Sequence, residues 1–174
     1  DLEMSLVHYQ PTILQGTTKL GKITCGADGY YDMLAGGFDA YNSAGAFYDW
    51  NSAKPHFDNS SHFMRRVSSN ALFGEDGHPT RIPGWTNDEW IVRILTIDPD
   101  RKSHHIKEIY IDPNGFKNKD GNPIFAVYLR LKPIGARAQV LADSLENENI
   151  NTAFSIRCLT KDFTHPYTKI KIKI

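Results

Sequence analysis

Two short segments far apart in the chain carry side chains able to do chemistry together. One is Gly74-Glu75-Asp76-Gly77-His78-Pro79, a histidine in a turn-rich loop. The other is Ala153-Phe154-Ser155-Ile156-Arg157-Cys158-Leu159, a serine inside an apolar run that reads as a strand. A nucleophile needs a rigid element beneath it and a base brought from elsewhere. Each residue alone has a plainer reading. Strand serines are common, and a histidine before proline in a Gly-rich loop is more often structural or solvated. As a pair, Ser155 and His78 point to Ser–His hydrolase chemistry.

A third candidate lies in Ser103-His104-His105-Ile106. Side chains alternate across a strand, so only one of these histidines faces a given side. The one that faces His78 would orient it as the third member of a triad. His78, His104 and His105 could also bind zinc, but there is no HExxH or comparable ligand spacing, and neither metal nor cofactor is expected. There is no G-x-S-x-G elbow, P-loop, GxGxxG or EF-hand loop. Asp98-Pro99-Asp100 reads as a plain turn.

These residues need a scaffold. Lys19 to Thr24 is strand-like, and Gly36-Gly37-Phe38 and Tyr41-Asn42-Ser43-Ala44-Gly45 read as turns between strands. Asp58 is the expected cap of a helix beginning near Ser60, with Phe63, Met64, Val67 and Ala71 on one face and Gly74 at its end. Trp90 to Ile97 reads as a buried strand. With His105 to Ile111 and Ile124 to Leu131 it forms an expected antiparallel meander. Asp112-Pro113-Asn114-Gly115 and Lys119-Asp120-Gly121-Asn122 are turn chemistry. Ile134, Ala138, Leu141, Ala142 and Leu145 make an apolar helical stripe, broken at Asn147-Glu148-Asn149. The serine strand follows from Thr152 to Leu159, then a turn at Asp162, Thr164, His165 and Pro166. The Lys/Ile alternation to Ile174 reads as a last amphipathic strand. The layout is a mostly β domain with about two helices packed on it.

Composition bounds the function. The 174 residues fit one domain with a real core. Lys+Arg and Asp+Glu are both 20, for a net charge of +0, which argues against a general nucleic-acid binder. No apolar run approaches the ~18 residues a membrane span needs. Cys25 and Cys158 make no CxxC pair, so a disulfide framework is not expected and a reducing compartment is the simpler reading. No signal peptide is visible. The start at Asp1 and the stop in the Lys/Ile run read as a trimmed or processed product.

Taken in order, three segments carry a family resemblance. They are Phe73-Gly74-Glu75-Asp76-Gly77-His78-Pro79, then Ser103-His104-His105-Ile106, then the Ile134–Leu145 helix leading into Phe154-Ser155-Ile156-Arg157. The chain resembles the prohead maturation proteases of tailed bacteriophages, most of all the T-even type. Those enzymes carry a similar GE-x-x-HP segment, a Ser-His-x-Ile strand and a serine after a helix, and are similar in fold to the herpesvirus assembly proteases. The resemblance covers roughly residues 30 to 165.

It implies an α+β fold, mostly β, with an antiparallel β-barrel-like core and a few helices around it, as one protease domain over 1–174. It implies a serine endopeptidase that cleaves phage scaffold and capsid proteins, often after glutamate, and processes itself, inside the assembling prohead in the host cytoplasm. Ser155 matches the nucleophile, His78 the general base and His104 the Ser-His-x-Ile position. Asp162, His165 or a residue past Ile174 is the alternative third member. A glutamate-selective pocket needs a cation: Arg157 is nearest in sequence, and Arg65, Arg66, Arg81 and Arg137 are further candidates. Homo-oligomers are compatible with this reading; nucleic acid and membrane are not expected partners. The alternatives are a non-enzymatic capsid- or scaffold-binding protein on the same fold, and a zinc-dependent hydrolase using the histidines.

Overall fold

The computed structural model describes residues 25–40, 47–117, 121–150, 152–154, 162–164 and 171–173. Among them, four antiparallel strands form one sheet in the order β1-β4-β3-β2. β1 is Tyr31–Phe38, β2 Phe73–Glu75, β3 Lys102–Lys117 and β4 Pro123–Pro133. A separate pair joins β5 (Asp162–Thr164) to β6 (Lys171–Lys173). The helices are α1 (Trp50–Ala53), a 3-10 turn at Lys54–Phe57, α2 (His62–Ser68), α3 (Asn87–Leu95) and α4 (Ala138–Glu146).

β4 is central because it can lose both edges to neighbours: Ile124, Ala126, Val127, Leu129 and Leu131 are all buried. In β1 the buried set runs Tyr31, Met33, Ala35 and then Gly36 and Phe38. A register shift between Leu34 and Gly36 changes the parity there, so Phe38 still points inward. The core gathers Tyr31, Met33, Ile106, Leu129 and Leu131 from the sheet with Val67 of α2 and Leu145 of α4. An aromatic chain extends it: Phe38 meets Phe57 at 5.6 Å and Phe57 meets Phe63 at 5.8 Å, while Trp50 stacks on Phe125 at 4.9 Å.

Several sequence expectations are corrected. Trp90–Ile97 is not a buried strand; its first six residues complete α3. The cause is the Thr86-Asn87-Asp88-Glu89 start, a capping box in which Thr86 Oγ1 accepts from the Glu89 amide at 3.2 Å and Glu89 Oε2 from the Thr86 amide at 3.1 Å. Trp90 and Ile94 are half-buried, but Val92 is 61% and Leu95 59% exposed. The expected meander therefore loses one strand, and β1 and β2 flank the β3–β4 hairpin instead.

Gly36-Gly37-Phe38 lies within β1 and is not a turn. Ser61, not Asp58, caps α2, its hydroxyl accepting from the Met64 amide at 3.1 Å. Asp58 instead accepts from the Ser60 amide at 2.9 Å. α2 ends before Asn70, which takes a left-handed φ of 60°, and Gly74 belongs to β2.

Asp112–Gly115 turns locally, the Asn114 amide donating to Asp112 Oδ1 at 2.9 Å, yet β3 runs on through it as a bulge. Ile134 precedes α4 because residues 134 and 137 are tied to β3: the Ile134 amide donates to Ser103 O at 3.1 Å and that of Arg137 to Lys102 O at 2.8 Å. Asp162–Thr164 pairs as β5 where a turn was expected, and Lys171–Lys173 confirms part of the final strand. The expected Lys19–Thr24 strand, the Tyr41–Gly45 turn and most of the serine strand lie outside the described residues.

The architecture is α+β with an antiparallel sheet, open among the described residues. Among them, no helix is long and apolar enough to cross a membrane. Cys25 is a free, exposed thiol.

Candidate active site

The site is built around β2, the short edge strand that opens the His78 loop. Gly74 pairs with His104 of β3 and lies close against its ring. A Cβ at Gly74 would come within 2.1 Å of His104 Cε1 and Nε2, so only glycine permits this approach. Beyond β2 the chain turns at Gly77 and presents His78, which is exposed.

The loop's root is held from two sides. The Glu75 side chain is 0% exposed. Arg93 of α3 grips it with a two-pronged pair, Nη2 to Oε1 at 2.8 Å and Nη1 to Oε2 at 3.1 Å. The Asp98 amide donates to Glu75 Oε1 at 3.0 Å. Hydrogen bonding to Glu75, chiefly, pushes the Arg93 pKa up. Next along, the Asp76 amide donates to Arg101 O at 2.9 Å, and the Arg101 guanidinium donates back to the Asp76 carbonyl. Sequence reasoning assigned no role to Glu75, Arg93 or Arg101. Arg93 sat in a run read as strand, which hid its position on a helix, and nothing local marks Glu75 as buried. The Thr-x-x-Glu signature at Thr86 was the signal that could have revealed α3.

The two adjacent histidines divide as strand alternation requires. His105 lies against Tyr30 and α2's end: its Nε2 is 3.2 Å from Asn70 O, and its Nδ1 is 2.8 Å from the Tyr30 hydroxyl. Asn70 O only accepts, so Nε2 carries the hydrogen and, in the neutral ring, the Tyr30 hydroxyl donates to Nδ1. Both ring nitrogens are thus occupied structurally. His104 is 7% exposed, with Nδ1 2.8 Å from the Ser103 hydroxyl. Burial drives its pKa down from 6.5 to about 4, so the ring is neutral at neutral pH.

The chain leading to Ser155 arrives beside His104. Thr152 is buried, its hydroxyl bonded to that of Ser144 in α4. Phe154 packs on the core, and its ring meets His104 edge to face, centroids 5.6 Å apart. Ser155, Arg157 and His165 themselves lie outside the described residues, and Asp162 is placed by its backbone pairing with Lys173. The structure therefore joins β2, His104 and residues 152–154.

Of the other candidate arginines, Arg65 and Arg137 are exposed. Arg66 lies 3.5 Å from Ala71 O. Arg81 donates to Trp85 O at 3.0 Å and Asn87 Oδ1 at 2.9 Å. Among the described residues, no three His, Cys, Asp or Glu side chains gather as metal ligands.

Comparison with known proteins bears on this geometry. The chain is 36% identical over 157 residues to the capsid maturation protease of Pseudomonas phage phiKZ, an alignment covering 86% of this chain. The chain spans 56% of the length of that relative. No solved structure matches it significantly. Residues 9–172, a span that holds the His78 loop, His104 and Ser155, match the peptidase S80 family. The chain belongs to the peptidase S80 family.

Proposed function

We propose that this chain is the catalytic domain of a serine endopeptidase that matures a phage capsid, with Ser155 as nucleophile and His78 as general base. The observation that carries the reading is the family match over residues 9–172, which contains both residues in the expected order. The packing of Phe154 on His104 supports it, since it brings the residue before Ser155 to the strand that pairs with β2.

In this mechanism His78 takes the Ser155 proton as Oγ attacks the scissile carbonyl. It then protonates the leaving amine, and water repeats the cycle to release the acyl group. Backbone amides stabilise the oxyanion. His104 is the third member and acts as a neutral hydrogen-bonding ring, because burial disfavours its charged form. Asp162, His165 or a residue past Ile174 is the alternative for that place.

The substrates are scaffold and capsid proteins and the chain itself, cut after glutamate, with Arg157 as the cation that receives the carboxylate. The work is done inside the prohead by a single domain over 1–174, free to self-associate and without nucleic acid or membrane. A barrel-like closure of the antiparallel sheet, of the herpesvirus assembly protease kind, belongs to the same proposal; the bulges of β1 and β3 support curvature of that sort.

The test is incubation with purified scaffold protein from the same phage, wild type against Ser155→Ala, followed by mass spectrometry of the products. Wild type is expected to give discrete fragments ending in glutamate, and the variant none. Fragments from both would end the serine assignment. Binding without cleavage by wild type would favour a scaffold-binding role.

A further inference from the structure

We infer that Glu75 and Arg93 are positioning residues for His78, acting as a clamp that fixes the root of its loop. The inference rests on His78 being the general base. α3 has no buried residue, so apolar packing gives it little purchase on the core. It nevertheless delivers a guanidinium to a carboxylate that is 0% exposed. A buried ion pair is a poor source of stability compared with apolar packing; what a planar two-pronged pair supplies is a fixed geometry. The Asp98 amide, at 3.0 Å, completes the hold on Glu75.

The next residue is held as well. Asp76 exchanges two hydrogen bonds with Arg101, one through its amide and one through its carbonyl. Between these fixed residues and His78 stands only Gly77, in a left-handed turn with φ 75°. The base is thus carried two residues beyond a doubly anchored segment, on an otherwise exposed loop. Loss of the clamp should let His78 drift while leaving the core, built from β1, β3, β4, α2 and α4, untouched.

The experiment uses a fluorophosphonate probe, which needs no knowledge of the natural substrate. The serine Oγ forms a bond to phosphorus, fluoride leaves, and the hydroxyl proton passes to the base. Arg93→Lys keeps the charge but removes the fork. It is expected to lower the labelling rate constant about 10- to 100-fold, the scale of a misplaced catalytic group. The final extent of labelling should be unchanged, and amide exchange at residues 76–78 should quicken. A merely destabilised protein would show the reverse: less labelled protein, at the normal rate. Glu75→Gln keeps the shape and its bond to the Asp98 amide, and should shift in the same direction if Arg93→Lys folds poorly. Folded variants that label at the wild-type rate with unchanged exchange would overturn the clamp. A control, His78→Ala, separates the two ideas. If it labels at the wild-type rate, the assignment of the base has failed, and exchange at residues 76–78 alone then decides whether the clamp exists.

Discussion

The rings of His104 and Phe154 stand nearly perpendicular, at 80°, with centroids 5.6 Å apart. Phe154 immediately precedes Ser155, so this contact ties the histidine of β3 to the backbone that carries the proposed nucleophile. The same histidine ring lies on Gly74 of β2, four residues before His78. His104 therefore touches both arms of the proposed site.

The first prediction follows from that placement. Ser155→Ala should abolish scaffold cleavage, a loss on the order of 10⁶-fold for a triad nucleophile. His104→Ala should cost less, because water or the neighbouring Ser103 hydroxyl can substitute in part for an orienting ring. Turnover of scaffold protein by both variants measures it. Wild-type turnover by His104→Ala, with failure of Asp162 or His165 variants, would move the third role to one of those residues.

His104 also makes stability depend on pH. Its folded pKa, about 4, lies below its ordinary 6.5 because burial penalises the charged ring. Between those values the unfolded chain binds the proton and the folded one does not, so stability rises with pH across the window and is lost as pH falls through it. The full effect is about 3 kcal/mol, present above the unfolded value and gone below the folded one. Urea unfolding at neutral pH and near pH 4 should show the loss in wild type, and His104→Gln should flatten it. An equal pH dependence in both proteins would mean that other groups set it.

Much of the fold was readable because its pattern was local. The alternation of Ile124–Leu131 and the stripe ending at Leu145 put β4 and α4 where they stand, and both supply fully buried residues. The reading failed where local pattern and tertiary role diverge. Trp90–Ile97 looks like a buried strand by composition, yet the Thr86 cap commits its first part to a helix and leaves Val92 and Leu95 in solvent. Gly36-Gly37 looks like a turn, yet just past the register shift at Ala35 both glycines pair regularly within β1, with Val127 and Ala126. At the site, the two adjacent histidines meet different neighbours, His104 the Phe154 ring and His105 the Tyr30 hydroxyl. The Glu75–Arg93 pair escaped notice because an ion pair 18 residues apart has no periodic signature, and it was invisible once α3 had been read as a strand.

Gly74 gives a third prediction. Gly74→Ala places a methyl 2.1 Å from the His104 ring, which is hemmed in by Ser103 and Phe154. The strand or the ring must shift, at a cost of about 1–3 kcal/mol as for other overpacked sites. Thermal unfolding should show the loss, and cleavage should fall beyond what the unfolded fraction explains, since both arms of the site move. The double variant Gly74→Ala with His104→Ala removes the clash and should recover most of the stability. No recovery would show that the glycine is needed for its backbone alone.

The last prediction concerns what is cut. If cleavage follows glutamate, the pocket must hold a cation, because desolvating a carboxylate without a partner is too costly to serve as a means of selection. Arg157 is the proposed partner: it is two residues from Ser155, a spacing that a regular strand would put on one side. Among the described arginines, Arg93 is already engaged with Glu75, and Arg81 donates to Trp85 O and Asn87, so neither competes well for a substrate carboxylate. Peptides with glutamine in place of the glutamate keep the shape and lose the charge, and should be cut much more slowly. Arg157→Gln should erase that difference by slowing cleavage of the glutamate peptide, while leaving fluorophosphonate labelling of Ser155 near the wild-type rate. Equal cleavage of the two peptides by wild type would place recognition in shape or in residues further upstream. A glutamate preference that survives in Arg157→Gln would assign the cation to another arginine.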